Sequence, residues 1–201
     1  MDAAAAVSLL EGGGVVALPT DTVYGVAAVL SHPSAVDLLF RLKGRPSTKA
    51  LPVLVDSVEQ IVGLGVTWPD EARRLADAFW PGALTIIVAA PHELAQRVGS
   101  VHDGVGFRVP DDGFARGVLA LTGPLAVTSA NGHGGEPAHS ASDVARAFKG
   151  RSELSGIVDG GRRQGIVSTV VDLSDGPWHV LREGAVARGA LAAVLGSSPR
   201  E

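Results

Sequence analysis

The chain has 201 residues, 46% of them hydrophobic, a formal net charge of −4 and no cysteine. That length suits one domain with a large buried core, expected to span residues 1–201 with 197–201 as a frayed tail. The missing cysteine excludes disulfides, thiol catalysis and thiolate metal sites, and the acidic balance argues against general coating of nucleic acid.

No apolar run approaches the ~20 residues of a membrane span. The opening MDAAAAVSLLEGG carries Asp2 and Glu11 instead of a basic start, and reads as a short amphipathic helix ended by glycine. No membrane association is expected, and the cytoplasm is the expected compartment. Val15 to Leu18 is a short apolar strand running into Pro-Thr-Asp-Thr. Ser34 with Asp37 predicts a capped helix, which Gly44 stops and Pro46 keeps from resuming. Leu51 to Val55 is a second apolar run. Ser57 with Gln60 predicts a short helix through Val62, and Thr67 to Phe79 a longer one with Pro69, Asp70 and Glu71 at its start. Leu84 to Ala89 and Val105 to Val109 read as strands, Phe114 to Leu121 as a helix, and Leu125 to Thr128 as a strand entering a glycine-rich loop. Ser140 with Asp143 caps a helix to Lys149. Strands follow at Ile157–Val158, Val167–Leu173 and Trp178–Leu181, then a helix from Ala187 to Leu195. Interleaved strands and helices predict an α/β (α+β) fold. The hairpin spacing of the last two strands makes the sheet mixed.

Two features exceed the needs of folding. Thr20, Asp21, Thr22 and Tyr24 crowd hydrogen-bonding groups where a strand ends. Arg41, Lys43, Arg45 and Lys49 put four cations into nine residues, with no acidic residue between Leu38 and Val55. A helix C-terminus favours one such cation, but four beside a strand-end loop point to an anion site. The glycine motifs of Walker and dinucleotide sites are absent, as is the nucleophile elbow of hydrolases. His133 and His139 flank Glu136, a pattern more typical of a solvated loop than of a metal site.

Further polar groups stand at or near strand ends: Arg108, then Thr128, Ser129 and Asn131, then Ser168 and Thr169, and finally Arg182. In α/β sheets ligands gather at strand ends. Each group also has a local explanation. Hydroxyls at turns bond their own backbone, Arg108 could pair with an acidic neighbour, and Asn131-Gly132 suits a tight turn. Taken together, the guanidinium, ammonium and hydroxyl groups suit a phosphate-bearing ligand and a small polar partner. No residue stands out as an activated nucleophile or general base. An enzyme of this kind works by holding charged reactants together and neutralising phosphate, with ATP supplying most ligands of a magnesium ion.

Seven motifs carry a resemblance. They are PTDTVYG at Pro19–Gly25, KGRP with a following lysine at Lys43–Lys49, WPGALT at Trp80–Thr85 and VGFRVP at Val105–Pro110. TSAN at Thr128–Asn131, STVVD at Ser168–Asp172 and LREGA at Leu181–Ala185 complete the set. In this order and spacing, across roughly Leu9 to Ala187, the chain resembles the single-domain bacterial form of the YrdC-like threonylcarbamoyl-AMP synthases. The resemblance implies a nucleotidyltransferase that makes L-threonylcarbamoyl-AMP and pyrophosphate from L-threonine, bicarbonate and ATP. The product feeds threonylcarbamoyladenosine formation beside the tRNA anticodon through a downstream transferase complex, with tRNA contact by this chain itself only weakly implied. The fold implied is a twisted mixed sheet flanked by helices around a positively charged concave cavity.

By the same resemblance, Thr22, Arg108 and Ser168 contact threonine. Arg45 and Lys49 contact the ATP phosphates with Lys43 nearby, so Lys43 and Arg45 neutralise charge. Ser129 and Asn131 bind the nucleotide side, and Arg182 contacts ATP. ATP is a substrate, Mg2+ is expected with it, and no protein metal ligand is singled out. The loop GHGGEPAHS after Asn131 is longer than the family's usual Ser-Gly turn, and the extra C-terminal domain of longer synthases is not in this sequence. Two other readings remain: a YrdC-like RNA-binding module, against which the few aromatic residues argue, and a paralogue making a different carbamoyl adenylate.

Overall fold

The computed structural model describes residues 1–44, 50–132 and 135–196. Chain order begins α1 (Ala3–Glu11), β1 (Val15–Leu18), β2 (Gly25–Val29), α2 (Pro33–Lys43), β3 (Val53–Leu54) and α3 (Val58–Gly63). Next come α4 (Asp70–Phe79), β4 (Leu84–Ala89), α5 (His92–Arg97), β5 (Gly104–Arg108), α6 (Gly113–Thr122) and β6 (Leu125–Ser129). The chain closes with α7 (Ala141–Ala147), β7 (Leu154–Ile157), β8 (Thr169–Asp172), β9 (His179–Arg182) and α8 (Arg188–Leu195). The strands form one mixed sheet in the order β7-β1-β2-β6-β3-β5-β4-β8-β9. Pairings β1·β7, β3·β5 and β4·β8 are parallel, and the final hairpin β8·β9 is antiparallel. No helix among the described residues is long and apolar enough to cross a membrane.

Strand alternation sorts side chains onto two faces. Val15, Val26, Ala126, Val53, Phe107, Ile86 and Val171 point into the main core, where they join residues of α2, α4 and α5. Val16, Leu18, Ala27, Val29, Leu125 and Val127 point the other way, into a smaller core shared with α1 and α6. Burying a side chain of this size contributes about 1.5–3 kcal/mol.

Helix signals were read correctly at some ends and not at others. Asp2 caps α1 by accepting from the Ala5 N–H at 2.9 Å, and Gly12 follows its end. Gly44 ends α2 at φ 59°, a left-handed conformation that favours glycine. The expected Ser34–Asp37 box is absent: Pro33 already occupies the first turn, with His32 as N-cap. Pro lacks the N–H that a cap would satisfy, which allows the earlier start. At α3, Ser57 is the N-cap but its hydroxyl makes no cap bond, while Gln60 Oε1 accepts from the Asp56 N–H at 3.0 Å. Ser140 does cap α7, accepting from the Asp143 N–H at 3.2 Å, though the helix ends at Ala147, short of Lys149.

Two elements, β2 and α5, were not anticipated. GVAAV follows a loop-like motif and has small side chains. It is strand because it lies between β1 and β6, where a Cβ on Gly25 would sit 2.7 Å from Val127 Cγ1. The strand expected at Ile157–Val158 begins earlier, at Leu154. The long predicted run Val167–Leu173 keeps only Thr169–Asp172 as ladder, because the residues before it form a loop.

Candidate active site

The two sheet faces are covered unequally, and the site lies where cover is missing. Helices α1 and α6 cover β1, β2 and β6 on one face. Beside them the same face of β3, β5, β4 and β8 lines a cavity of about 470 Å³, within the range of small-molecule sites. Its floor follows from one alternation. Val105 and Phe107 of β5 enter the core, while Gly104, Gly106 and Arg108 face the cavity. A Cβ on Gly106 would meet Thr85 Cγ2 at 3.0 Å and Ile87 Cγ1 at 3.3 Å, so the bare backbone keeps this floor open.

Arg108 anchors one end. Its Nη2 donates to both carboxylate oxygens of Asp21 at 2.7 and 2.8 Å, its Nη1 to Thr22 Oγ1 at 3.1 Å, and its Nε to the Gly82 carbonyl at 2.9 Å. Thr20 Oγ1 lies 3.0 Å from Thr22 Oγ1 and donates to the Val23 carbonyl at 2.7 Å. The guanidinium is 7% exposed. Burial holds its pKa below the ordinary arginine value, with Asp21 opposing that shift. The acidic neighbour is therefore real, and Arg108 is already neutralised. One Nη2 hydrogen is shared between the two Asp21 oxygens, so three of its five N–H donors are used.

On the neighbouring strands, Ser168 Oγ lies 3.0 Å from Thr85 Oγ1 and accepts from Arg182 Nη2 at 3.0 Å. Arg182 Nε and Nη2 also donate to the Ser168 carbonyl at 3.0 and 2.8 Å. Arg182 forms no ion pair among the described residues. Burial of its inner edge, then the charge of Arg108, push its pKa below the ordinary value. An incoming anion would therefore meet one neutralised guanidinium and one that is not.

A third group stands behind the cavity. Lys43 is 7% exposed at the end of α2. Its Nζ donates to the Ser129 carbonyl at 2.6 Å, to the Asn131 carbonyl at 2.7 Å, and closely to Asn131 Oδ1. Ser129 Oγ donates to Asn131 Oδ1 at 2.7 Å, and Asn131 Nδ2 to the Gly135 carbonyl. Lys43 thus ties down the loop that follows β6.

Tyr24, fully buried, connects three segments. Its N–H donates to the Ala138 carbonyl at 2.9 Å and its own carbonyl accepts from Ala130 N–H at 2.8 Å. Its hydroxyl donates to the Gly161 carbonyl at 2.8 Å and accepts from Gly160 N–H at 3.0 Å.

The cavity brings together Thr22, Arg108, Ser129, Ser168 and Arg182 of the predicted residues. Lys43 and Asn131 stand behind Ser129 instead of in the wall. Arg45 and Lys49 lie outside the described residues. Sequence reasoning marked Asp21 and Tyr24 but not their partners, Arg108 and the Gly160–Gly161 backbone, and it missed Thr85. Thr85 carried a signal: a lone hydroxyl in LTIIVA, two residues from Ile87 on the same face. His139, once grouped with Glu136, has its Nδ1 2.9 Å from the Arg163 carbonyl. Among the described residues no three histidine or acidic side chains could hold a metal ion.

The family described as Sua5/YciO/YrdC, telomere recombination, matches residues 8–184. A Mycobacterium leprae protein, provisionally assigned as a threonylcarbamoyl-AMP synthase, is 42% identical over 198 residues, covering 98% of this chain and 89% of that one. The threonylcarbamoyl-AMP synthase of Bacillus subtilis is 38% identical over 196 residues, covering 96% of this chain and 56% of that one. The solved structure of P. abyssi Sua5 complexed with L-threonine superposes with a TM-score of 0.90 at 35% identity. It covers 96% of this chain, which spans 57% of that one. On a match across most of its length, this chain belongs to the Sua5/YciO/YrdC family.

Proposed function

We propose that this chain is a threonylcarbamoyl-AMP synthase, joining L-threonine, bicarbonate and ATP into L-threonylcarbamoyl-AMP with release of pyrophosphate. The observation that carries the reading is the cavity itself. Two polar groups, Thr22 with Arg108 and Thr85 with Ser168 and Arg182, face one open floor about the size of a small-molecule site. A small amino acid with hydroxyl and carboxylate suits the Thr22, Arg108 and Ser168 end. The nucleotide takes the side of Ser129, with Arg182 and, by family resemblance, Arg45 and Lys49 meeting its phosphates. Lys43 and Asn131 support that side by holding the loop. The remaining N–H groups of Arg108 and the guanidinium of Arg182, which forms no ion pair among the described residues, are the donors offered to anions.

The chemistry needs alignment more than a strong base. The threonine amine forms a C–N bond to the bicarbonate carbon, with loss of water. A carbamate oxygen then bonds to the α-phosphorus of ATP, and the bond to the departing pyrophosphate breaks. Guanidinium groups beside the phosphates stabilise the charge that develops. Magnesium is expected to arrive with ATP. The described wall offers hydroxyls and guanidinium groups, and its nearby carboxylate, Asp21, is engaged by Arg108 through both oxygens. That donor set does not fit a protein-held magnesium ion. The product would pass to the downstream complex that modifies tRNA.

The test is pyrophosphate release from ATP with bicarbonate, magnesium and each amino acid in turn. Threonine alone among them should drive release strongly. Arg45→Ala and Lys49→Ala should weaken ATP use far more than folding. Equal release with several amino acids would contradict the reading.

A further inference from the structure

Residues 159–167 connect β7, at one edge of the sheet, to β8, near the other. This strap runs over the β1 end and the Thr22 loop before reaching Ser168. Its course is fixed by contacts along its length. A Cβ on Gly160 would sit 2.6 Å from Pro19 Cγ, and one on Gly165 would sit 2.4 Å from the Asp21 carbonyl and 2.5 Å from Thr22 Cα. Arg163 donates through its N–H to the His139 carbonyl at 2.7 Å, and its Nη2 pairs with Asp112 Oδ2 at 3.0 Å. At the start, the Tyr24 hydroxyl holds Gly160 and Gly161 together. At the end, Val167 and Ser168 line the cavity.

We infer that Tyr24 is a positioning residue: its hydroxyl registers the strap, and the strap seats Thr22 and Ser168 in the cavity wall. The inference rests on the proposed threonine-dependent activity and names the device that shapes its amino-acid side. Tyr24 borders the cavity, but its hydroxyl is spent on the strap. Its ring stays in the core when the hydroxyl is removed, so Tyr24→Phe cuts only the tether. Gly165→Ala displaces the strap at a second point, its crossing over Asp21 and Thr22, since its Cβ has no space beside those backbone atoms. The nucleotide side is held separately, by Lys43 on Ser129 and Asn131.

Both variants are assayed for pyrophosphate release with threonine and ATP varied in turn. Both are also titrated with L-threonine by calorimetry and treated with trypsin, which need no turnover. The strap carries Arg162, exposed, and Arg163 as tryptic sites. The expected result is a rise in threonine KM and Kd of about fivefold, the worth of a hydrogen bond or two. The KM for ATP and kcat should stay within about twofold, while cleavage after Arg162 and Arg163 accelerates. Wild-type threonine affinity in both variants, equal weakening toward threonine and ATP, or unchanged cleavage would overturn the inference. Absence of threonine-dependent release from the wild-type protein would sink the proposed activity instead, and the calorimetric and tryptic results would still decide the strap.

Discussion

Replacing Asp21 with asparagine tests the charge balance at the centre of the site. The change keeps the shape of the side chain but removes its charge and turns one acceptor into a donor facing Arg108 Nη2. The pair is well buried, with side-chain exposures of 7% for Arg108 and 15% for Asp21. Breaking a buried ion pair from one side costs about 3–5 kcal/mol, because the other charge stays behind unpaired. Arg108 keeps its bonds to Gly82 and Thr22, and Asp21 has some solvent access. The expected loss is therefore at the lower end, about 3 kcal/mol. Urea unfolding with matched slopes measures it. The internal control is Arg116→Ala, which breaks the pair with Asp56 at 2.9 Å with exposures of 42% and 28%. It should cost no more than about 1 kcal/mol. Adding Arg108→Met to Asp21→Asn should recover most of the loss, since no unpaired charge remains. An Asp21→Asn protein within about 1 kcal/mol of wild type, or no more destabilised than Arg116→Ala, would refute the reasoning.

Lys43→Met should lower stability by about 2 kcal/mol, because the Ser129 and Asn131 carbonyls lose their charged donor. It should also raise the KM for ATP about tenfold with a much smaller effect on threonine, measured by unfolding and steady-state kinetics. Gly184→Ala would place a Cβ 2.2 Å from the Val167 carbonyl and 2.6 Å from Thr169 N. It should cost about 1–3 kcal/mol by overpacking against backbone, read by the same unfolding titration. At Asp143 the Ser140 hydroxyl, above all, holds the carboxyl below the ordinary aspartate range. A depressed carboxylate pKa gives stability that is present above the unfolded value and lost as pH falls through the folded one. Ser140→Ala should therefore move the Asp143 carboxyl resonance titration upward in pH, and an unmoved titration would contradict that cause.

Much of the site was legible because its chemistry sits on strand ends, and strand ends are marked by abrupt changes from apolar to polar residues. Arg108 stood out as the cation in an apolar run, and Ser129 and Asn131 as polar groups directly after one. What sequence could not carry was pairing between distant segments. Asp21 and Arg108 are 87 residues apart, and nothing local to Asp21 announces its partner. The protein-side partners of Lys43 were hidden for a related reason. Charge density suggests an anion contact nearby, and the helix end also brings its ammonium onto oxygens of Ser129 and Asn131. Short elements also escaped. GVAAV has neither length nor β-branched density to declare a strand, and neighbouring strands impose one on it. Arg45 and Lys49 lie outside the described residues, so their expected phosphate contacts rest on charge placement and family resemblance.

The most direct test of the account is to supply 13C-bicarbonate with ATP, magnesium and L-threonine and weigh the adenylate formed. The expected product is a mixed anhydride of AMP that contains threonine and one 13C atom, with pyrophosphate in equal amount. An unlabelled threonyl adenylate, or ATP binding with no adenylate at all, would contradict it.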